Sequence, residues 1–246
     1  MPVLNDIPEI ILTALAVLIA LSIHEYAHAL VAYKLGDNTA KDMGRLTVNP
    51  LAHLDPVGAI FMLLFRFGWA KPVPINPKNF KKPKRDFALA ALAGPASNII
   101  MAFFSTLLFL VFYKLLKLSI GMPTEVFLYN TCLFLSIFSS LNVGLGVFNL
   151  IPVPPFDGSR LLNVVLPEKL YFKVMRYERQ IYWVVIGWLF FGKYLYRLLT
   201  AIPLIASNGI ACAVLRIFDL SGLIGQAISA IYDLMISFWS LIPSLG

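Results

Sequence analysis

Charged residues are scarce in this chain of 246 residues, since Asp, Glu, Lys and Arg together make up only 13% of it. An ordinary soluble domain has about a quarter of its residues charged. Hydrophobic residues make up 59% of the chain, and no stretch has the composition of a separate soluble domain. The shortage of charge therefore excludes an ordinary soluble protein and predicts a polytopic membrane protein surrounded by a lipid bilayer.

Cysteine and histidine are also rare, with two and three residues respectively. Cys132 and Cys212 both lie in apolar runs and no Cys-x-x-Cys motif occurs, which predicts packed thiols and not a disulfide or a cysteine-based metal site. The sequence also lacks the paired half-length repeats of many transporters. These absences leave a few histidines and carboxylates as the residues able to carry chemistry.

The charge that is present is mostly positive, with 20 Lys and Arg against 13 Asp and Glu and a formal net charge of +7. Half of the Lys and Arg lie within residues 34–85. Lys and Arg accumulate in cytoplasmic loops, so this stretch is predicted to be cytoplasmic and the N-terminus to lie on the opposite side. Because the basic residues lie between apolar runs, no nucleic-acid partner is expected.

Long apolar runs predict an all-α protein with a core of three membrane-spanning helices, at about residues 7–35, 87–118 and 126–150. Residues 44–50 have the pattern of a short strand closed by a turn. The apolar run 57–69 is too short to cross a bilayer, so a re-entrant or interfacial element is predicted there.

The chain is apolar again from about residue 181 and predicts two or three additional C-terminal membrane segments. We therefore divide the sequence into a core, residues 1–165, and a second part, residues 166–246. The second part comprises a cytoplasmic connector and C-terminal segments of the same membrane domain.

The first predicted helix carries the pattern His-Glu-x-x-His at His24, Glu25 and His28. Residues four apart lie on one face of a helix, so the two imidazoles can bind one metal ion, and this spacing suits zinc. Glu25 lies beside the first ligand, where it can act as a base towards water. Ionisable residues inside a membrane helix are costly and indicate a functional site. The pattern supplies two ligands and a base, so a third ligand must come from elsewhere.

Asp157 is the preferred third ligand. It follows the third predicted span in a run with three prolines, which cannot be a regular helix and is tolerated at membrane depth where it lines a cavity. If the spans run down, up and down, Asp157 returns to the side on which His28 lies. Asp37 and Asp55 remain possible, because they are close in sequence to the motif. Weaker alternatives are Glu125, Glu168 and Glu178.

These motifs together resemble the site-2 protease family of intramembrane zinc metalloproteases. The resemblance rests on His24-Glu25-Tyr26-Ala27-His28 in a first helix and on residues 149–158 at the end of a later one. Residues 44–56 and 94–98 resemble its compact bacterial and archaeal branch, and the likeness covers about residues 8–165. Pro155-Phe156-Asp157-Gly158 departs from the commoner wording but keeps the aspartate, and no PDZ or CBS domain is found.

The resemblance implies one zinc ion per chain, held by His24, His28 and Asp157, with Glu25 as general base. It implies hydrolysis of a peptide bond in or near the transmembrane segment of another membrane protein. A prokaryotic cytoplasmic membrane is the expected location, with the site nearer the cytoplasmic side.

Two asparagines are predicted to assist. Asn149 is a candidate donor to the oxyanion, and Asn98, beside a Gly-Pro pair, is a candidate for holding the substrate backbone. A non-catalytic membrane transporter or metal-binding scaffold is the alternative function, in which His24 and His28 would line an ion path. Metal flux that survives Glu25→Gln would indicate that alternative.

Overall fold

The computed structural model describes residues 7–58, 70–203, 207–216 and 219–242. The predicted re-entrant or interfacial run at 57–69 therefore lies, from residue 59 on, outside the described residues. Short 3₁₀ turns among these residues include Pro77–Asn79 and Asp157–Leu161. The described α-helices, in chain order, are α1 (Ile7–Lys34), α2 (Thr39–Asp42), α3 (Pro50–His53), α4 (Pro83–Leu118), α5 (Glu125–Leu150), α6 (Leu162–Val165), α7 (Glu168–Arg176), α8 (Glu178–Thr200), α9 (Gly209–Leu215) and α10 (Leu220–Ser240).

Four of these helices, α1, α4, α5 and α10, are long and apolar enough to cross a membrane. The first three coincide with the three predicted spans to within a few residues, which confirms an all-α, multi-pass architecture. Among the C-terminal residues that the structure describes, α10 meets this criterion, where two or three additional segments were predicted.

Residues 44–49 do not form the predicted short strand and instead make turns and bends. The Thr47 carbonyl accepts a hydrogen bond from the His53 ring, with Nε2 at 2.7 Å. A strand needs a partner along its edge, and the one β-pairing within the described ranges is an isolated antiparallel bridge between Leu54 and Ala70. Among the residues that the structure describes, no neighbouring strand therefore matches this local sequence pattern.

Small residues allow the three central helices to approach closely. The helices α4 and α5 share an extensive interface, and α1 packs against both. A Cβ added at Gly146 on α5 would lie 3.4 Å from the Pro95 carbonyl oxygen of α4. In a bilayer, helices associate through such close packing and through interhelical hydrogen bonds. Small residues on α1 are also fully buried, namely Ala16, Ala20, Ala29 and Ala32.

The last described helix, α10, packs against α4 and α5 away from the histidines. Met235 forms a buried cluster with Ala102 and Val143. Trp239 Nε1 donates a hydrogen bond to the Phe103 carbonyl at 2.9 Å. The pairing of α4 with α5 is thus covered on one side by α10.

Candidate metal centre and active site

Two histidines of α1 face the same point. His24 and His28 lie one helical turn apart, and both side chains are buried. Their Nε2 atoms are 3.0 Å apart, and the ring planes stand at 87° to each other. The spacing of four residues thus presents two imidazole nitrogens to one position, as the sequence predicts.

The predicted third ligand lies at the same point. Asp157 begins the 3₁₀ turn that follows α5, and its Oδ2 is 3.1 Å from His24 Nε2 and 3.2 Å from His28 Nε2. In the described part of the chain, these three residues form the one group of His, Cys, Asp and Glu able to share a metal ion. The Asp157 side chain is 27% exposed, so the group is accessible from one side.

The other carboxylates weighed from the sequence make contacts elsewhere. Their hydrogen-bond or ion-pair partners include Asn79 for Asp37, Val57 and Gly58 for Asp55, Gly121 for Glu125, and Arg160 for Glu178. The Glu168 side chain lies outside the described part of the structure. Among the described residues, the best-placed ligand set is therefore His24, His28 and Asp157.

The geometry of these atoms fits a zinc ion. With bonds of about 2.0–2.1 Å, a tetrahedral zinc ion separates neighbouring ligand atoms by about 3.3 Å. The three observed separations are 3.0, 3.1 and 3.2 Å. Two imidazole nitrogens and one carboxylate oxygen, with a fourth position left for water or substrate, form a donor set typical of catalytic zinc sites.

Gly94 allows α4 to contact both histidine rings. A Cβ added at Gly94 would lie 2.6 Å from His24 Cε1 and closer still to His28 Nε2. The His28 Nδ1 atom is 2.7 Å from the Ala90 carbonyl oxygen. Because a carbonyl oxygen only accepts hydrogen bonds, His28 donates from Nδ1 and its Nε2 lone pair faces Asp157.

Asn98, the candidate for holding the substrate backbone, makes hydrogen bonds within the protein. Its side chain is fully buried, and its Oδ1 lies 2.5 Å from His24 Nδ1. Its Nδ2 donates to Asn142 Oδ1 at 2.7 Å. Both ends of the amide are therefore engaged between helices, and its predicted role in holding the substrate stays a prediction.

Asn149 lies half-buried in the last turn of α5. Its Nδ2 donates to the Leu145 carbonyl one turn earlier, at 3.0 Å. The amide nitrogen carries two hydrogens, so one can still reach another acceptor. Its predicted role at the oxyanion stays a prediction.

Glu25 is bound by a segment without helix or strand that we call the strap, residues 71–76. The Val73 N–H donates to Glu25 Oε2 at 2.8 Å. Val73 lies between Pro72 and Pro74, which have no N–H to donate. A hydrogen bond to an ionised carboxylate is stronger than one between neutral groups, so this contact holds Glu25 in one orientation while its other oxygen can accept a proton.

Two buried charged residues hold the ends of the strap. Asp37 accepts hydrogen bonds from the Asn76 N–H and from the Asn79 side chain, both at 2.7 Å. Arg45 donates to the Lys71 carbonyl at 2.6 Å. Burial alone raises the pKa of the Asp37 carboxyl, but the hydrogen bonds that it accepts outweigh burial and hold this pKa below its ordinary value.

Several groups around the site were not predicted from the sequence. The Ala90 carbonyl and the Val73 N–H belong to the backbone, which carries no sequence signal. Arg45 and Asn142 did carry a sequence signal, because a charged or amide side chain buried in an apolar region requires a partner. That rule identifies the residue but not the group to which it binds.

Known proteins resemble this chain over most of its length. The model of peptidase family M50 matches residues 12–191. "Putative zinc metalloprotease YwhC" of Bacillus subtilis (strain 168) is 41% identical over 176 residues, which are 71% of this chain and 77% of that protein. No solved structure matches.

Two mycobacterial proteins are more distant. "Putative zinc metalloprotease Rip2" of Mycolicibacterium smegmatis is 28% identical over 145 residues, 57% of this chain and 52% of that protein. The protein of the same name from Mycobacterium tuberculosis (strain Erdman) is 26% identical over 238 residues, 91% of this chain and 79% of that protein. With the family model matching well over half of its residues, the chain belongs to peptidase family M50, the site-2 protease family, and is a membrane-embedded zinc metalloprotease.

Proposed function

We propose that this chain hydrolyses a peptide bond in or near the transmembrane segment of another membrane protein. His24, His28 and Asp157 hold one zinc ion, and Glu25 is the general base. The observation that carries the proposal is the convergence of three ligand atoms, none more than 3.2 Å from another, on a helix face next to Glu25.

Zinc, when bound, supplies a Lewis acid that polarises a carbonyl group and acidifies water. The Glu25 carboxylate accepts the proton of the attacking water and passes it to the leaving amine. Its Oε2 is held by the Val73 N–H, which leaves Oε1 for the proton transfer. The strap therefore acts as a support for the base.

Asn149 is the proposed donor to the oxyanion that develops on the attacked carbonyl. It lies at the end of α5, shortly before the turn that carries Asp157. The second hydrogen of its amide nitrogen stabilises negative charge that is absent from the ground state, which is the kind of contact that accelerates such reactions. Asn149→Leu is expected to lower the turnover number more than it changes the Michaelis constant.

The substrate reaches the site from the bilayer and its cleaved stretch unwinds, because a helix hides its peptide bonds. The site lies among α1, α4 and α5, three helices apolar enough to cross a membrane. The basic residues within 34–85 support a position nearer the cytoplasmic side of a prokaryotic cytoplasmic membrane.

The test combines zinc content with cleavage. Wild type and Glu25→Gln are expected to retain about one zinc per chain, whereas His24→Ala and Asp157→Ala lose it. Of these four proteins, only wild type should cleave single-span membrane peptides in detergent micelles. Asp55→Ala, a carboxylate outside the metal group, is the matched control and should behave as wild type.

Two outcomes would contradict the proposal. Zinc retained in Asp157→Ala would refute the ligand set. Cleavage that persists in Glu25→Gln would refute the role of Glu25 as base. Metal flux that persists in the same variant would favour a metal-transporting function.

A further inference from the structure

A buried chain of hydrogen bonds runs from α5 through α4 to the metal centre on α1. Asn142 Nδ2 donates to the Phe138 carbonyl at 2.8 Å. Asn142 Oδ1 accepts from Asn98 Nδ2 at 2.7 Å, and Asn98 Oδ1 lies 2.5 Å from His24 Nδ1. Both asparagines have no exposed surface. Polar groups buried among apolar helices depend on such protein partners.

The Phe138 carbonyl at one end determines the donor and acceptor in every hydrogen bond of this series. The Phe138 carbonyl oxygen can only accept, so the amide group of Asn142 that faces it must be the NH₂. The Asn142 oxygen then faces Asn98, which must present its own NH₂. The Asn98 oxygen is left to face His24, so the hydrogen in that contact belongs to His24 Nδ1.

We propose that Asn98 and Asn142 are positioning residues that fix the tautomer of His24. With its hydrogen on Nδ1, the neutral ring has its lone pair on Nε2, the atom that faces Asp157 and His28. The proposal rests on the ligand set proposed above. It adds two residues that support a ligand without contacting the metal. Partners of this kind orient a ligating histidine and typically change metal affinity by about 10–100-fold.

Asn142 acts on His24 through the Asn98 amide, which has an accepting oxygen at one end and a donating NH₂ at the other. If Asn142 becomes leucine, the Asn98 amide is free to rotate and present its NH₂ to His24, which favours the wrong tautomer. A carboxylate at position 98 has two acceptor oxygens, so it accepts from His24 Nδ1 whatever residue occupies position 142. A structural role in packing α4 against α5 would not show this dependence.

The experiment is a double-mutant cycle read as zinc affinity, measured by competition with a chelator in detergent. Asn98→Leu is expected to weaken zinc binding by about 10–100-fold. Asn142→Leu should weaken it by about tenfold, the lower end of that range, because it acts through Asn98. In the Asn98→Asp background, Asn142→Leu should cause no further weakening.

The control is Ser139→Ala, which removes a buried hydrogen bond between α5 and α4 to Thr106, at 2.6 Å, away from the metal centre. It should leave zinc affinity unchanged even if it lowers the melting temperature. Isotope-labelled histidine NMR gives a second readout, since the chain has only three histidines. The His24 signal should show hydrogen on Nδ1 in wild type and a mixture of tautomers in Asn142→Leu.

The proposal is overturned if Asn142→Leu weakens zinc binding by the same factor in the wild-type background and in the Asn98→Asp background. It is also overturned if Asn98→Leu binds zinc as wild type does. Failure of the ligand set itself would look different, because His24→Ala would then retain zinc. Variants that do not fold are recognised by aggregation in detergent, and the NMR comparison of wild type with Asn98→Asp still decides the tautomer.

Discussion

Replacing Gly94 with alanine should disable the metal centre without breaking the helix that carries it. The added Cβ would lie 2.6 Å from His24 Cε1, whereas two carbon atoms in contact prefer about 3.5–4.0 Å. One or both rings must therefore move by about 1 Å. A misplacement of about 1 Å in a catalytic group can cost about 100-fold in rate.

The helix itself should tolerate the change. Alanine is favoured over glycine in a helix interior by about 1 kcal/mol, so α4 is not expected to unfold. Gly94→Ala should then show a folded protein with less than one zinc per chain and cleavage lowered by about 100-fold. Gly144→Ala is the matched control, because its Cβ would meet Ile228 Cδ1 at an ordinary 3.7 Å.

Zinc content, cleavage of a transmembrane peptide and the melting temperature should be measured on the same preparations. A Gly94→Ala protein with full zinc content and full activity would refute the close approach of α4 to the two histidines. An equal loss in Gly144→Ala would show that any added methyl group disturbs the helix pair.

Three further predictions concern the strap and the metal. Val73→Pro removes the N–H that binds Glu25 and should lower cleavage by about tenfold or more while zinc content stays unchanged, whereas Val73→Ala keeps the N–H and should match wild type. The Asp37 pKa lies below its ordinary value, so the stability contributed by this carboxylate is present above pH of about 4 and is lost as the pH falls through its lowered pKa. Asp37→Asn should therefore melt below wild type at neutral pH, and thermal melts that show no narrowing of this gap in acid would contradict the assignment. Removing zinc with a chelator should abolish cleavage, and adding zinc back should restore it; activity that survives complete zinc removal would exclude zinc catalysis.

Local patterns in the sequence predicted the part of the site that one helix determines. His24 and His28 are four apart, and helix geometry alone brings their rings together. Asp157 was reached only by following the direction of the three spans, because it is far away in sequence. The long apolar helices were predicted well since their length is set by the thickness of a bilayer.

Features that depend on a partner elsewhere in the chain were predicted less well. The strand expected at residues 44–50 had the right local pattern but no strand to pair with in the described structure. Asn98 was named as a candidate for holding the substrate backbone, but its contacts with His24 and Asn142 depend on the rotation of three helices. The sequence identifies such a residue but does not show which of its neighbours it contacts.

The hydrogen bonds from Asn142 to Asn98 and from Asn98 to His24 also limit how the three helices can move. Sliding α4 along its axis by one full turn, about 5.4 Å, would separate the partners of these bonds of 2.7 Å and 2.5 Å far beyond hydrogen-bond distance. The Asn98 amide and His24 Nδ1 would then lose these buried partners. The axial register of α1, α4 and α5 is therefore fixed near the proposed metal ligands. Movements that admit a substrate consequently fall to elements packed around this unit, among them the strap and α10.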